Sequence, residues 1–307
     1  MTKVLVATEK PFAPAAVAKI KEVTDAAGYE LVLLEKYTDV AEFHKAVEDV
    51  DALIVRSDKV TPEVIDAAKN LKIVIRAGAG YDNLNLEACT AKGIVAMNTP
   101  GQNSNAVAEL AIGMAVFNSR HNFDGKAGTE LKDKVLGIHA YGNVGRYVAK
   151  IAMGFGMKVY AYDPFIPKEA ITNDGVEALD NVEELYEKCQ YLSLHIPAND
   201  KTKKSINYDL LSKMPKGATL INTARKEVID EEGLLKIMSE RNDFFYLSDI
   251  APDCKDEIIQ KFDAARYFFT PKKMGAQTAE ANINAGVAGA NQIVNFIENG
   301  DKTFMVN

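Results

Sequence analysis

The chain has 307 residues, enough for two domains of ordinary size. Its 36 basic and 43 acidic residues give a net charge of −7 at pH 7, which argues against a general nucleic-acid binder. The composition is 47% hydrophobic and 26% charged, with three widely spaced cysteines and no apolar run of about 18 residues. These features exclude disordered, membrane-spanning and disulfide-rich classes, indicate no metal-ligand pattern, and predict a cytoplasmic globular protein.

Short apolar runs rich in Val and Ile recur along the chain, and helical patterns separate most of them. Strands of this kind, alternating with helices, are typical of parallel sheets covered on both faces. Ten predicted strands are many for one open sheet, so we expect two βα units. The predicted strands are Val4–Ala7, Leu31–Leu34, Leu53–Val55, Ile73–Ile75, Ile94–Met97, Val135–His139, Val159–Tyr162, Tyr191–His195, Thr219–Asn222 and Phe244–Leu247.

Two long helical patterns flank the middle of the chain. The first, Ala106–Phe117, follows a turn at Asn98–Gly101. The second, Ala279–Glu298, ends at Asn299-Gly300, and glycine commonly terminates a helix. We interpret these helices as crossings between two domains, and Phe304–Val306 as a last strand that returns to the first domain.

The segment Val135–Ala149 reads as a strand, a glycine turn and a helix. A dinucleotide-binding loop has the pattern Gly-x-Gly-x-x-Gly, and its three positions hold Ala140, Gly142 and Gly145 here. The second glycine lets backbone N–H groups approach a pyrophosphate, and the third lets the helix pack closely on the strand. Alanine at the first position is a small departure provided that its φ is negative.

Asp163 supports the same interpretation. It ends the strand after the glycine loop, where a carboxylate can accept both ribose hydroxyls and would repel a 2′-phosphate. The pattern therefore predicts NAD and not NADP, although the glycines alone would also suit a plain strand-to-helix turn. The predicted cofactor-loop residues are Gly142, Asn143, Val144, Gly145 and Asp163.

Over nearly its whole length the chain resembles the D-isomer-specific 2-hydroxyacid dehydrogenases. The first two shared blocks lean towards the members that oxidise 3-phosphoglycerate to 3-phosphohydroxypyruvate on the route to serine, and a lysine in place of the family's histidine resembles some short ones. The shared blocks are Leu53–Ser57, Arg76–Asn83, Met97–Ser104, Ala108-Glu109, the glycine loop with Asp163, His195–Pro197, Asn222–Arg225, Asp249-Ile250 and Thr270–Thr278.

The resemblance implies an α/β fold of two nested, doubly wound parallel-sheet domains. A Rossmann NAD-binding domain, residues 98–280, would be inserted in a flavodoxin-like substrate-binding domain of residues 1–97 and 281–307, with a cleft between them. It also implies a homodimer formed through the cofactor domain, although residues 118–129 are shorter than the family's arm and lack its Trp. From its 307 residues we expect the chain to lack the regulatory C-terminal domain of longer members.

The resemblance assigns catalysis to Arg225, whose planar guanidinium can bind the substrate carboxylate and the reacting oxygen. The family's glutamate and histidine are both missing, and Cys254 (beside Asp253) and Lys273 stand at their positions. The two losses are linked. The pKa of a lysine is already too high for a good base at neutral pH, and a glutamate beside Lys273 would raise it further, so the absence of that glutamate favours the lysine as a base. We expect Lys273 to take the hydroxyl proton, with Lys272 as the alternative; two ordinary surface lysines are the other interpretation.

An acidic protein that binds a phosphorylated hydroxy acid needs a local cationic pocket. We expect Arg56 to bind the phosphate and Ser57 to add a hydroxyl, unless Arg56 instead pairs with Asp51 or Asp58. The glycine-rich turn after Ile73–Ile75 would offer backbone N–H groups to the carboxylate, as a nest does. The other residues expected near the substrate are Gly78, Ala79, Gly80 and Asn103, and those expected near the cofactor are His195, Ile196, Pro197, Thr223, Ala224, Asp249 and Gly275.

Two other functions remain open from the sequence. One is the reduction of glyoxylate, hydroxypyruvate or another D-2-hydroxyacid partner by the same chemistry. The other is a catalytically silent NADH-sensing protein, which the altered glutamate and histidine positions would suit. A phosphate-binding cation such as Arg56 favours the oxidation of 3-phosphoglycerate.

Overall fold

The structure, a computed structural model, describes residues 1–307. The chain divides into two compact units, residues 1–103 with 277–307 and residues 104–276. Each unit is built on one wholly parallel sheet, so the predicted α/β class is confirmed. No helix is long and apolar enough to span a membrane.

Strands and α-helices alternate along the chain. The strands β1–β12 are Lys3–Thr8, Glu30–Glu35, Ala52–Val55, Ile73–Arg76, Val95–Asn98, Val135–His139, Lys158–Tyr162, Glu177–Ala178, Tyr191–Leu194, Thr219–Asn222, Phe245–Ser248 and Tyr267–Phe269. The helices α1–α12 are Pro14–Ala26, Val40–Ala46, Pro62–Ala67, Leu86–Ala91, Ser104–Ser119, Asn143–Gly154, Lys168–Thr172, Val182–Lys188, Tyr208–Ser212, Glu231–Glu240, Lys255–Lys261 and Ala279–Asn299.

The first unit has five strands in the order β2-β1-β3-β4-β5. This is the flavodoxin-like order, in which the direction of winding reverses between β1 and β3. One apolar face of the sheet packs against α1 and α12, and the other against α2, α3 and α4. Because both faces are covered, β3 is a continuous buried run, Ala52–Val55.

Helix α12 joins the end of the chain to the first sheet through small residues. A Cβ on Gly286 would lie 2.9 Å from Cδ1 of Ile20 in α1, and one on Gly289 would lie 3.1 Å from Cγ2 of Ile75 in β4. The glycines therefore let α12 approach both neighbours closely. The helix ends where the sequence predicted, with Gly300 in the left-handed conformation at φ 69°.

The predicted strand at Phe304–Val306 is wrong. The segment makes only one antiparallel bridge, between Met305 and Met97 of β5. A turn precedes it, in which Asp301 accepts hydrogen bonds from the backbone N–H and the hydroxyl of Thr303. Residues bonded within a turn cannot extend a ladder, although the chain does return to the first sheet.

The second unit has seven strands in the order β12-β11-β10-β9-β6-β7-β8. This is the Rossmann order, with β12 added at one edge and the reversal between β6 and β9. The two edge strands were not predicted. Glu177–Ala178 is too short to form an apolar run, and Tyr267–Phe269 was missed although its three residues are aromatic. In open α/β sheets the ligand site lies at the carboxyl ends of the strands beside such a reversal.

Candidate active site

The predicted cofactor loop lies at the strand reversal of the second unit. It follows β6, and the segment His195–Pro197 follows the neighbouring strand β9. The backbone N–H of His195 donates to the carbonyl of His139 at 3.0 Å, which joins the two strand ends. Two of the predicted cofactor segments therefore lie at adjacent strand ends.

The condition under which alanine would be a small departure, a negative φ at Ala140, is not met. Its φ is 79°, in the left-handed region that favours glycine. The loop is tight at this point, since a Cβ on Gly145 would lie 2.5 Å from the carbonyl oxygen of Ala140. The third glycine of the pattern is thus required for the helix to approach the strand, and the first position carries the strain.

The second glycine leaves open space at the start of α6. Gly142 is the N-cap residue of this helix, and a Cβ built on it meets no atom within 4 Å. The first N–H groups of a helix have no partner within it, and they point towards its N-terminal side. The loop therefore offers donors and room for an anion such as a pyrophosphate, and the residues present fit NAD.

Asp163 joins this loop to the end of the next strand. One carboxylate oxygen accepts the N–H of Tyr141 at 2.7 Å, and the other accepts the N–H of Phe165 at 2.8 Å. Each carboxylate oxygen has a second lone pair, so these bonds do not prevent contact with ribose hydroxyls. Asp163 also has a structural role that its position in the sequence did not indicate.

A second carboxylate, that of Asp174, is bonded to Tyr141 of the loop and to Arg146 of α6. Tyr141 is fully buried, and its hydroxyl donates to Asp174 at 3.1 Å. Arg146 donates to the same carboxylate at 2.6 Å, and its guanidinium lies over the Tyr141 ring. Sequence reasoning missed this group, because Asp174 lies outside every motif.

His195 is held between two hydroxyl groups. Its Nε2 lies 2.9 Å from Oγ of Ser193, and its Nδ1 lies 3.4 Å from Oγ1 of Thr223. Burial, and secondarily the neighbouring His139, lowers the pKa of His195 to about 3. The ring is therefore neutral at physiological pH and hydrogen-bonded in place, as a structural or cofactor-side residue would be. The next residues differ in exposure, with Ile196 buried and Pro197 exposed.

The turn that carries Arg225 is organised by Asn222, the last residue of β10. The Asn222 amide donates to the carbonyl of Arg225 at 3.0 Å and accepts the N–H of Ala224 at 3.0 Å. Asn222 itself is 2% exposed, and both bonds are partly buried. This positioning role was not predicted, although Asn is a common turn residue.

The position of the missing glutamate is organised by another carboxylate, Glu231. Its two oxygens accept the backbone N–H groups of Asp253 and Cys254, each at 2.7 Å. Burial and Glu231 raise the pKa of the Cys254 thiol to about 12, so the thiol is not reactive at neutral pH. Lys226, beside Arg225, is paired with Asp253 at 2.5 Å. These residues line a cavity of about 730 Å³ in the second unit.

Asp249 anchors the loop that carries the two lysines. It is 1% exposed and accepts hydrogen bonds from the N–H groups of Met274 (2.7 Å) and Gly275 (2.9 Å). The hydroxyl of Thr270 donates to the backbone carbonyl of Asp249 at 2.6 Å and lies 3.1 Å from its carboxylate. Both ends of the loop are therefore tied to Asp249, while Lys272 and Lys273 are exposed.

Gly275 is required beside this carboxylate. A Cβ there would lie 2.9 Å from Oδ2 of Asp249 and 3.2 Å from Cγ2 of Val107. Any larger residue would push the backbone away from Asp249. The predicted cofactor residues Asp249 and Gly275 are thus in contact with each other.

In the first unit, Arg56 lies at the carboxyl end of β3, next to the strand reversal. Its Nη1 donates to the carbonyls of Lys10 (3.1 Å) and Pro11 (3.2 Å), and its Nη2 lies 2.5 Å from Oδ1 of Asn282. The guanidinium carbon lies 5.1 Å from the centre of the Phe12 ring. Every one of these acceptors is uncharged.

The alternative interpretation, a salt bridge to Asp51 or Asp58, is wrong. Asp51 pairs with Lys72 at 2.9 Å. Asp58 accepts the backbone N–H of Arg56 and the hydroxyl of Tyr37, but not the Arg56 guanidinium. The charge of Arg56 is therefore not cancelled by a bonded carboxylate.

The turn after β4 lies beside this arginine in the sheet order. Gly78 has φ 144°, and a Cβ on it would overlap the guanidinium of Arg76. The carbonyls of Gly78 and Ala79 accept bonds from the N–H of Thr99 (3.0 Å) and the amide of Asn98 (2.6 Å). Because these two carbonyls are bonded within the protein, the turn is compatible with the predicted use of its N–H groups for a ligand. The remaining residues predicted near the substrate are Ser57, which is exposed, and Gly80 and Asn103, which are half-buried.

Comparison with known proteins identifies the family. Residues 105–268 match the model described as "D-isomer specific 2-hydroxyacid dehydrogenase, NAD binding domain". A crystal structure of NAD+-bound 3-phosphoglycerate dehydrogenase from Entamoeba histolytica is 50% identical, with a TM-score of 0.86, and the match covers 100% of this chain and 98% of that one.

Two curated relatives have different activities. Hydroxypyruvate reductase of Thermotoga maritima is 37% identical over 278 residues, which is 84% of this chain and 88% of that protein. D-3-phosphoglycerate dehydrogenase of Methanocaldococcus jannaschii is 37% identical over 268 residues, 82% of this chain but 51% of that protein. The chain thus spans about half the length of the curated phosphoglycerate dehydrogenase. With its Rossmann unit and glycine loop, the chain belongs to the D-isomer-specific 2-hydroxyacid dehydrogenases, a family of NAD-dependent oxidoreductases.

Proposed function

We propose that the protein oxidises 3-phosphoglycerate to 3-phosphohydroxypyruvate with NAD. The observation that carries this proposal is the half-buried Arg56 guanidinium, which is bonded only to uncharged acceptors. A phosphate is bound most strongly by a cation whose charge is not already cancelled. The Entamoeba histolytica relative is itself a 3-phosphoglycerate dehydrogenase, which supports the same substrate here.

The anionic groups of the substrate are assigned to separate parts of the chain. Arg56 and Ser57 bind the phosphate, and the N–H groups of Gly78–Gly80 bind the carboxylate, with Asn103 nearby. Arg225 orients the carboxylate and polarises the oxygen on C2, because its fork geometry matches two oxygens at once.

The reaction removes a hydride from C2 and a proton from its hydroxyl, leaving a carbonyl. NAD, when bound, accepts the hydride. Lys273 in its neutral form takes the proton and becomes an ammonium group, which solvent then deprotonates. Lys272 is the alternative acceptor, because the two neighbours share one exposed loop.

Single substitutions distinguish the two lysines. A general base contributes roughly 10²- to 10⁴-fold to the rate, so Lys273→Ala should lower kcat by about 100-fold or more and change the pH profile. Lys272→Ala should change kcat little, as should Lys255→Ala, an exposed control in α11. If Lys272→Ala shows the large loss instead, the roles are exchanged; if neither does, the proton goes elsewhere.

The substrate is tested by following NADH oxidation with phosphohydroxypyruvate, hydroxypyruvate, glyoxylate and pyruvate. We expect the highest kcat/KM with phosphohydroxypyruvate, and Arg56→Ala should remove that preference. The second candidate, a hydroxypyruvate reductase, is favoured by the Thermotoga maritima relative and predicts the opposite ranking. NADH binding without turnover of any substrate would identify a sensing protein.

The broader assignments are also proposals. Residues 98–280 bind NAD, residues 1–97 with 281–307 bind the substrate, and the protein acts in the cytoplasm. The family resemblance further supports a homodimer formed through the NAD-binding part. Light scattering should give twice the mass of one chain, and a single-chain mass would contradict the dimer.

A further inference from the structure

We propose that Asn282 is a positioning residue that holds the Arg56 guanidinium ready for phosphate without neutralising it. This inference rests on the proposed function, in which Arg56 binds the substrate phosphate. Asn282 lies in the first turn of α12, far from Arg56 in the sequence, and neither motif analysis nor resemblance singled it out. The two side chains meet in the first unit, at 2.5 Å.

Every hydrogen-bond acceptor of the Arg56 guanidinium is uncharged. Two backbone carbonyls, those of Lys10 and Pro11, accept from Nη1, and the Phe12 ring lies beneath the plane. The amide of Asn282 accepts from Nη2. An aromatic face and carbonyl dipoles stabilise a cation while leaving its net charge intact.

Asp58 provides the nearest carboxylate in sequence. It is 4% exposed, but its oxygens accept the N–H of Glu9 (2.7 Å), the hydroxyl of Tyr37 (2.9 Å) and the backbone N–H of Arg56 (3.3 Å). Because those donors hold it, Asp58 does not pair with the guanidinium. The Arg56 guanidinium is therefore fixed in direction without a bonded carboxylate, although Asp58 still attracts it at longer range.

A second hydrogen bond fixes the orientation of the Asn282 amide. Nδ2 of Asn282 donates to the carbonyl of Thr278 at 2.7 Å, so Oδ1 is the atom that faces Arg56. A carboxylate at this position could accept from Arg56 equally well, but it would cancel the positive charge. An anion-binding site needs an uncharged amide at this position, so that the arginine keeps its positive charge. A purely structural contact would work equally well with a carboxylate.

The test uses the full-length enzyme and compares KM for phosphohydroxypyruvate with KM for unphosphorylated hydroxypyruvate. Asn282→Ala removes a hydrogen bond to a charged group, so it should raise the first KM about tenfold or more. Asn282→Asp should raise it more, by about 100-fold, because a new ion pair competes with the phosphate. The KM for hydroxypyruvate and the kcat for both substrates should stay near wild type.

Asn284→Asp is the matched control, because it makes the same change on an exposed residue of the same helix. It should leave both KM values unchanged. Inhibition by inorganic phosphate gives a second measurement, and its Ki should rise in Asn282→Ala by the same factor as the KM. This measurement keeps the test valid if Asn282→Asp does not fold.

The outcomes separate this inference from the proposed function. If Arg56→Ala raises KM only for the phosphorylated substrate while Asn282→Ala and Asn282→Asp behave like wild type, the role of Asn282 is refuted and the function stands. An Asn282→Asp enzyme no worse than Asn282→Ala would refute the charge argument. If Arg56→Ala affects both substrates equally, the phosphate does not bind at Arg56 and this inference fails, whereas the proposed function is still decided by the substrate ranking.

Discussion

At the scale of single residues, Ala140 has a conformation that its side chain disfavours. A left-handed φ costs an L-residue roughly 1–2 kcal/mol, whereas glycine adopts it freely. The loop keeps Ala140 there because its N–H is bonded to the carbonyl of Tyr162 at 2.9 Å and the chain must turn sharply towards Gly142. The strain therefore lies in the segment that would contact the cofactor pyrophosphate.

The same substitution at two alanines should have opposite effects. Ala140→Gly should increase the free energy of unfolding by about 1 kcal/mol, because it relieves the left-handed strain. Ala18→Gly, at an exposed position inside α1, should decrease it by about 1 kcal/mol, because glycine weakens a helix. Urea unfolding measures both, and a loss of stability in each variant would mean that Ala140 is not strained.

Two histidines at neighbouring strand ends make stability depend on pH. Burial lowers the pKa of His139 to about 4 and that of His195 to about 3, whereas both are near 6.5 in an unfolded chain. Below about pH 6.5 the unfolded state therefore binds more protons than the folded state. The free energy of unfolding consequently falls as the pH is lowered, until the folded-state pKa is reached. Each ring should contribute a loss of up to about 2 kcal/mol between pH 7 and pH 5.

Urea unfolding of His139→Gln and His195→Gln at pH 7 and pH 5 tests this expectation. Each variant should show a smaller loss on acidification than the wild type, because one buried neutral ring is gone. His121→Gln, at an exposed position, should show the wild-type loss. An equal effect of all three substitutions would assign the pH dependence to overall charge.

At the scale of elements, the loop from Thr270 to Gly275 depends on one buried carboxylate. Asp249→Asn replaces an acceptor with an N–H₂ group that faces backbone donors, which costs about 1–3 kcal/mol. We expect kcat to fall at least about tenfold, since a displaced lysine no longer meets the hydroxyl proton. Steady-state kinetics and NADH titration measure the change.

Two comparisons make the Asp249 result specific. Asp256→Asn, an exposed carboxylate in α11, should keep wild-type kcat. A loss confined to NADH affinity, with kcat unchanged, would instead favour the predicted contact between Asp249 and the nicotinamide amide.

The elements also show what a sequence can predict. The ten predicted strands were found because each is a short, mostly apolar run, although β2 is only half-buried. Glu177–Ala178 is too short to leave that pattern, and Tyr267–Phe269 was missed although it is a three-residue apolar run. The glycine loop was recognised from its spacing, but the sign of φ at Ala140 depends on the path of the chain between β6 and α6. Periodicity reports burial, and it does not report how a loop turns.

For the candidate site, too, the sequence predicts some features and not others. Arg56, Arg225 and Lys273 are identified by residue type within motifs, and their roles remain proposals. The residues that position them, such as Asn222 and Asn282, could not be predicted, because their partners are set by which strand ends and helix starts become neighbours. Only the folded chain gives that information.

At the scale of the whole molecule, the first unit is built from the two ends of the chain, and the second unit from its middle. The second unit is continuous, residues 104–276, and contains its own core. We therefore expect an isolated 104–276 fragment to unfold cooperatively in urea and to bind NADH. An isolated 1–103 fragment should lack a cooperative transition, and a cooperative one would show that α12 is dispensable.

The late position of α12 has a consequence during synthesis on the ribosome. The nascent chain completes all five strands of the first sheet long before the helix that covers Ile54 and Ile75 has emerged. The part of that apolar face that α1 does not cover must remain exposed while the whole second unit is translated and folds. Chaperone binding to stalled chains that end before residue 277 should therefore be strong, and it should fall once α12 leaves the exit tunnel.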